Sequence, residues 1–388
     1  MKKTPKLRFK EFSGDWEIKK LGDLADIGTG KKDTQDKIED GKYPFFVRSQ
    51  IVERINSYSF DGEAILTAGD GVGVGKVFHY INGKFDYHQR VYKLSDFKEG
   101  ISGRYIYEYF KKNFIREVTK YTAKTSVDSV RMEMITKMDI PCPSKEEQEK
   151  IANFFSLIDN KISLQSEKVE ALKDYKKGIM QKIFSRELRF KDDEGRDYPE
   201  WEERKLGDII DKGKAGGTPK STVKDYYNGN INFLSISDMT IQGKYINYTE
   251  KTITELGIEN SSAWLVPKNS LIYSMYASVG FVSINNIELA TSQAMFSMII
   301  NENTNIDYVY HYLSYFKDNG IQAFIETGTQ GNLNAHTVKN IIIPYPNRDE
   351  QNKIASCISS IEIKIEKEQE KLNSLNEYKK GLLQQMFI

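Results

Sequence analysis

A chain of 388 residues with 56 Lys and Arg against 55 Asp and Glu is long enough for two ordinary domains, and its near-zero net charge does not mark it as an electrostatic binder of nucleic acid or membrane. Two cysteines, Cys142 and Cys357, exclude a disulfide framework and a four-thiolate metal site and fit a reducing compartment. No apolar run nears the roughly 18 residues of a membrane span, and the basic opening MKKTPKLRFK leads into no apolar segment, so a soluble, cytoplasmic protein with no signal peptide and no membrane contact is expected.

The first element is LRFKEFSGDWEIKKLGD, from Leu7, which opens a variable segment. Within it YPFFVRSQIV alternates like a strand, and GRYIYEYFKKNFIREV has the spacing of a helix. Between them GDGVGVGKV, Gly69 to Val77, invites a phosphate-loop reading. That motif needs Gly, four residues, Gly-Lys and then Ser or Thr, and here Val77 follows the Lys. A strand ending in a tight turn is predicted instead, with Lys76 near a phosphate of a bound polymer. The second variable segment opens on LRFKDDEGRDYPEWEERKLGD, from Leu188, continues with a predicted strand, INFLSISDM, and ends in a predicted helix, NIDYVYHYLSYFKDNGIQAFIE. The histidines His79, His88, His311 and His336 have no metal-ligand spacing, no methyltransferase motif of the Asn-Pro-Pro-Tyr type occurs, and no carboxylate cluster has the look of a nuclease site.

Each variable segment runs into a conserved one. Residues 140–185 lie on 343–388 without a gap, with nearly half of the aligned positions identical. Pro141, Pro143, Pro344 and Pro346 forbid helix before Ser144 and Asn347, which are natural N-caps, with Glu147 and Glu350 placed as in a capping box. Beyond them Ile151, Phe155, Ile158, Ile162, Val169, Leu172, Ile179 and Ile183 step by four and three, interrupted at Gln165 and Lys176. The second copy repeats the steps from Ile354 to Met386, interrupted at Glu368 and Lys379. A seam of this kind predicts one long helix per copy, about 60 Å at 1.5 Å per residue, each needing a partner that the other can supply. The Lys pairs of YKKG, residues 175–178 and 378–381, are expected on a solvated face. Because the second LRFK follows the first conserved segment directly, while the first LRFK opens the chain and the second conserved segment closes it, meeting ends would make a closed two-fold ring and antiparallel helices.

The layout resembles the specificity subunit of Type I restriction-modification systems. The resemblance spans the whole chain. It rests on IPxPxxxEQxKIA opening each helix (Ile140–Ala152 and Ile343–Ala355), YKKG near each helix end, WExxKLGD opening each variable segment (Trp16–Asp23 and Trp201–Asp208), and TQGNLNAHTVKNIIIPYP from Thr329 to Pro346. It implies an α+β chain with two target recognition domains, residues 1–139 and 186–342, held apart by an antiparallel coiled coil of two helices, residues 140–185 and 343–388. It further implies a non-catalytic reader of a bipartite, asymmetric site on double-stranded DNA, one domain per half-site. Its partners would be two adenine methyltransferase subunits that use S-adenosylmethionine and restriction and translocase subunits that use ATP and Mg, the chain itself holding no cofactor and no metal.

Reading base edges needs Arg, Lys, Asn, Gln or hydroxyls held on loops, and gripping phosphate needs cations. The first domain offers Lys31, Lys32, Arg48–Ser49–Gln50, Lys76, His88–Gln89–Arg90 and Lys124–Thr125–Ser126. The second offers Thr218, Lys220, Ser235, Ser237, Tyr273, Ser274, Tyr276, Ser278, Thr291–Ser292–Gln293, and Thr329, Gln330 and Asn332. The first segment has more Lys and Arg than Asp and Glu and the second fewer, so the stronger phosphate grip is expected from the first. An adaptor whose variable domains bind proteins is the competing reading.

Overall fold

The computed structural model describes residues 4–121, 129–276, 278–321 and 333–388. Each conserved segment forms one continuous helix, Lys145–Phe184 and Arg348–Met386, of 40 and 39 residues. The N-caps are as the sequence predicts: Ser144 Oγ accepts from the Glu147 amide at 3.3 Å, and Asn347 Oδ1 from the Glu350 amide at 2.9 Å. The reciprocal half of a capping box does not form. Instead the buried Glu147 carboxylate takes the Arg8 guanidinium in two bonds of 2.8 and 2.7 Å, and Glu350 takes Arg189 at 3.2 and 3.0 Å. A charged fork outcompetes a single amide for a carboxylate that is out of water.

The chain folds as two compact units, Met1–Glu167 with Gln369–Ile388, and Lys168–Glu368. The first is built on a six-stranded sheet, in order Asp26–Thr29, Val91–Ser95, Phe60–Ala68, Phe78–Tyr87, Tyr43–Phe46 and Glu53–Ile55. Neighbours are antiparallel except Tyr43–Phe46 beside Phe78–Tyr87. The helix Gly103–Thr119, capped by Ser102, lays Tyr105, Phe110 and Phe114 into the same core as Ile65, Phe78 and Leu94. The start of the first long helix and the end of the second lie antiparallel here, with the Phe155 and Phe387 rings stacked 5.8 Å apart.

The second unit has a five-stranded sheet, in order Ile210–Ala215, Met295–Ile300, Leu271–Ser274, Val282–Asn285 and Tyr245–Ile246, and a three-stranded one of Lys251–Ile253, Tyr227–Leu234 and Ala290–Thr291. The segment INFLSISDM is strand only to Leu234; Ser235 then caps the helix Ile236–Gln242, its Oγ accepting from the Asp238 amide at 3.2 Å. The helix Ile306–Asn319 takes the place that Gly103–Thr119 takes in the first unit. The end of the first long helix meets the start of the second, again antiparallel, with Lys168 and Lys176 bonded to Glu368 and Glu362 at 2.6 and 2.5 Å.

The duplication is exact enough to follow bond by bond, and from the domain helix onward equivalent positions in the two copies lie 203 residues apart, as in Tyr105 and Tyr308. Tyr105 and Tyr308 donate to the carbonyls of Pro141 and Pro344 at 2.5 and 2.6 Å. Gln148 and Gln351 each accept from a helix-cap amide, of Ser102 and Asn305, and donate to Pro143 and Pro346. The strands Glu17–Lys20 and Glu202–Lys205 pair with Asp139–Cys142 and Ile342–Tyr345. The repeated motifs therefore dock the long helices on the domains. The Leu188 amide donates to Lys182 O at 2.9 Å just past the first helix, and the Leu7 amide donates to Gln385 O at 2.9 Å, so the chain's beginning and end meet inside the first unit.

The Lys pairs correct the sequence reading. Lys177 and Lys380 are exposed as expected. Lys176 and Lys379 turn inward: Lys379 is 8% exposed, bonded to Asp159 at 2.7 and 2.6 Å, and lies 3.4 Å from Glu108. The aliphatic stem continues the seam while the ammonium crosses to the facing helix. Among the described residues no helix is long and apolar enough to cross a membrane.

Candidate nucleic-acid interface

In the first unit, segments distant in sequence converge at one rim of the sheet. Lys32 bridges His88, and the Gln89 amide donates to Lys32 O at 2.8 Å. A side chain at Gly30 would collide with the carbonyls of Tyr87 and His88, so only glycine lets this strand close on that turn. Gln89 Nε2 donates to Asp33 at 2.8 Å. Asp70 accepts from Arg48 at 2.9 Å and lies 3.7 Å from Arg90, aligning two guanidinium groups from different strand ends. The Gly69 amide donates to Arg90 O, and the Val130 amide donates to Gly69 O. Lys31, Arg48, Gln50, Lys76, Gln89 and Arg90 are exposed along this rim, and Lys32 and Ser49 are half-buried. The rim segments thus carry five cations, Lys31, Lys32, Arg48, Lys76 and Arg90, and two carboxylates, Asp33 and Asp70.

Two histidines hold the rim from beneath. His79 is buried and bonded to Ser49 O at 3.2 Å, and burial lowers its pKa. His88 is 3% exposed, and its Nδ1 accepts from the Arg90 amide at 2.8 Å. Burial and then Arg48 lower its pKa, so both rings are neutral near pH 7. His88 shapes the turn that presents Gln89 and Arg90. Lys124, Thr125 and Ser126 lie outside the described residues.

The second unit repeats the framework with other side chains. Gly216 occupies the place of Gly30, where a side chain would collide with the carbonyls of Thr291 and Ser292. Thr218 Oγ1 donates to Gln293 at 2.5 Å, as Gln89 is tied to Asp33. The Met275 amide donates to Ala294 O and the Leu333 amide to Met275 O, matching Gly69 and Val130. Thr218, Lys220, Ser237, Tyr276, Ser278 and Gln293 are exposed, and Ser292 and Ser235 are half-buried, Ser235 being spent on its helix cap. Tyr273, Ser274 and Thr291 are fully buried and support the rim from within; Thr329, Gln330 and Asn332 lie outside the described residues. Among these residues the second rim carries hydroxyls and an amide where the first carries cations, with Lys220 the one cation.

A model of the family described as the Type I restriction modification DNA specificity domain matches residues 13–174 and 198–377. The chain belongs to that family. Over nearly its full length it is similar to the MjaVIII specificity subunit of Methanocaldococcus jannaschii, 25% identical over 408 residues that cover 97% of this chain and 94% of the relative. It is 28% identical to the MjaIX specificity subunit of the same organism over 211 residues, and 34% to the EcoDI specificity subunit of Escherichia coli over 138 residues. These two matches span 53% and 36% of this chain and only 48% and 30% of the relatives' own lengths. The fold is shared with a Type I restriction-modification S subunit from M. genitalium, at a TM-score of 0.64 and 17% identity over 99% of both chains. Each unit's rim thus belongs to one of the two specificity domains.

Sequence reading missed Asp33, Asp70 and the buried role of His79. The signal for Asp70 lay in its place between the end of a strand and a run of glycines, where a carboxylate is free to reach sideways.

Proposed function

We propose that this chain is a sequence-specific DNA-binding subunit with no chemistry of its own. One domain reads each half of a bipartite, asymmetric site on double-stranded DNA. The long helices carry two adenine methyltransferase subunits, which use S-adenosylmethionine, and restriction and translocase subunits, which use ATP and Mg. The chain itself holds neither cofactor nor metal. The observation that carries this reading is that two units with one hydrogen-bonded framework present the same rim segments with different side chains. A constant frame with exchanged tips is what two readers of unlike sequences need. Phosphate grip comes from Lys31, Lys32 and Lys76, and edge reading from Arg48, Gln50, Gln89 and Arg90 in one domain and Thr218, Ser292, Gln293 and Tyr276 in the other.

Binding of duplex DNA by the chain assembled with its methyltransferase partner tests this over a range of salt. Lys31→Ala with Lys76→Ala should weaken cognate and non-cognate DNA alike and reduce the salt slope by about two. Salt-independent binding, or none, would favour the protein-binding adaptor.

A further inference from the structure

On the turn that follows Asp70, beside the two guanidinium groups that Asp70 holds, stands a side chain that phosphate binding does not explain. Val72 is 92% exposed, and Ile51 and Val52 on the neighbouring loop are 74% and 39% exposed. Single apolar side chains on a surface are ordinary, but this one is held up by a built turn. Gly71–Gly73 is a single 3₁₀ turn between two strands of the central sheet. The amides of Val74, Lys76 and Val77 return to the carbonyls of Gly71 and Gly73 at 3.2, 3.0 and 2.9 Å. Gly71 and Gly75 have φ of +71° and +70°, which fixes how the turn enters and leaves. Gly73 is buried, and a Cβ there would stand 2.6 Å from Arg48 O, so the turn rests directly on the loop that carries Arg48. The residue before the turn, Asp70, is the one that aligns Arg48 and Arg90.

We propose that Val72 packs against the 5-methyl group of a thymine in the half-site read by the first domain. This rests on the DNA-reading function proposed above and deepens it. The major groove marks a T·A pair with a methyl group, the one apolar feature on any base edge there, and a small branched side chain is its complement. Residues that wedge between base pairs are longer or flat, and Val72, with a single carbon beyond Cβ in each branch, is too short to enter a stack. Its neighbours suit the same groove, since guanidinium groups held side by side address guanine O6 and N7. Among the described residues, the equivalent turn of the second domain exposes Tyr276 and Ser278 in place of an aliphatic side chain, so the contact is assigned to the first domain.

The test uses the full chain with its methyltransferase partner and a duplex carrying the mapped site. Each thymine of the first half-site is replaced in turn by uracil, which removes only the methyl group. At one position the replacement should weaken binding about 3- to 10-fold, and Val72→Ala should weaken the parent duplex by a similar factor. Combined, the two should cost no more than either alone, while Val72→Thr, which keeps one methyl, should fall between. Non-cognate DNA should be unaffected by Val72→Ala. Additive effects at every thymine, no uracil effect, or a first half-site without thymine would each overturn the proposal while leaving the DNA-reading function intact. Loss of all sequence-specific binding by the parent complex would instead overturn that function.

Discussion

His311 shows how one residue's burial sets a condition on the whole second unit. Its side chain is fully buried on the helix Ile306–Asn319, Nε2 bonded to Ser359 at 3.0 Å and Nδ1 3.7 Å from Glu362. Burial, then Lys244 and Lys176, push its pKa down to about 2. Lys244 is itself held by Asp307 at 2.8 Å. A group whose folded pKa is depressed this way stays neutral in the native state while the unfolded chain takes up a proton below about pH 6.5. Stability is therefore lost as pH falls, by about 2 kcal/mol at pH 5. Urea unfolding at pH 7 and pH 5 should show this loss in the parent and not in His311→Gln. His79 and His88 add a slope of the same sign, so the measured quantity is the difference between the two proteins; an equal loss in both would show that His311 titrates normally. At this scale the sequence was legible for exposure, since Arg48, Gln89 and Arg90 stand on exposed loop tips as their polarity suggests. It was not legible for His88, Tyr273, Ser274 and Thr291, because a polar residue beside a turn reads the same whether it faces solvent or braces the turn from below.

The two long helices were legible as elements because a heptad seam and paired proline and cap signals are local. What those signals could not show is where the interrupting lysines point. Lys379 of the second helix, Asp159 of the first and Glu108 of the domain helix form one charge cluster in the first unit, with Lys379 and Glu108 buried and Asp159 partly exposed; Lys176, Glu362 and His311 are the equivalents in the second. Burial raises the Glu108 pKa, and the Lys379 charge opposes that rise. Lys379→Met should cost about 3–5 kcal/mol, because it strands a buried carboxylate. A carboxyl with a raised folded pKa is most stabilising below its unfolded value near 4.3 and loses that contribution as pH rises, so the deficit should widen between pH 4 and pH 7. Adding Glu108→Gln should recover much of it and flatten the pH dependence. If Lys379→Met alone unfolds no more readily than the parent, the cluster is not what holds the domain helix to the strut. The strand INFLSISDM was misread past Leu234 for a related reason: alternation continues through Ser235, but a serine three residues before an aspartate ends the strand by capping a helix.

At the scale of the molecule, the duplication is visible in sequence through its motifs, and their purpose is visible only in structure. IPxP pairs with WExxKLGD as strands, the EQ pair docks each helix through Arg8 or Arg189 and a cap amide, and LRFK lies at the end of a long helix in both units. The variable segments kept one framework while almost every rim side chain changed, so the shared α+β fold was expected from the flanking motifs while the equivalence of individual rim positions was visible only in the structure. If each rim reads its own half-site, the reading should be transferable by itself. The most direct measurement is methylation mapping, in cells, of a chain whose residues 24–139 are replaced by the corresponding segment of another family member, expressed with its methyltransferase. One half of the methylated site should change and the other should remain as in the parent. A change in both halves, or in neither, would contradict the account.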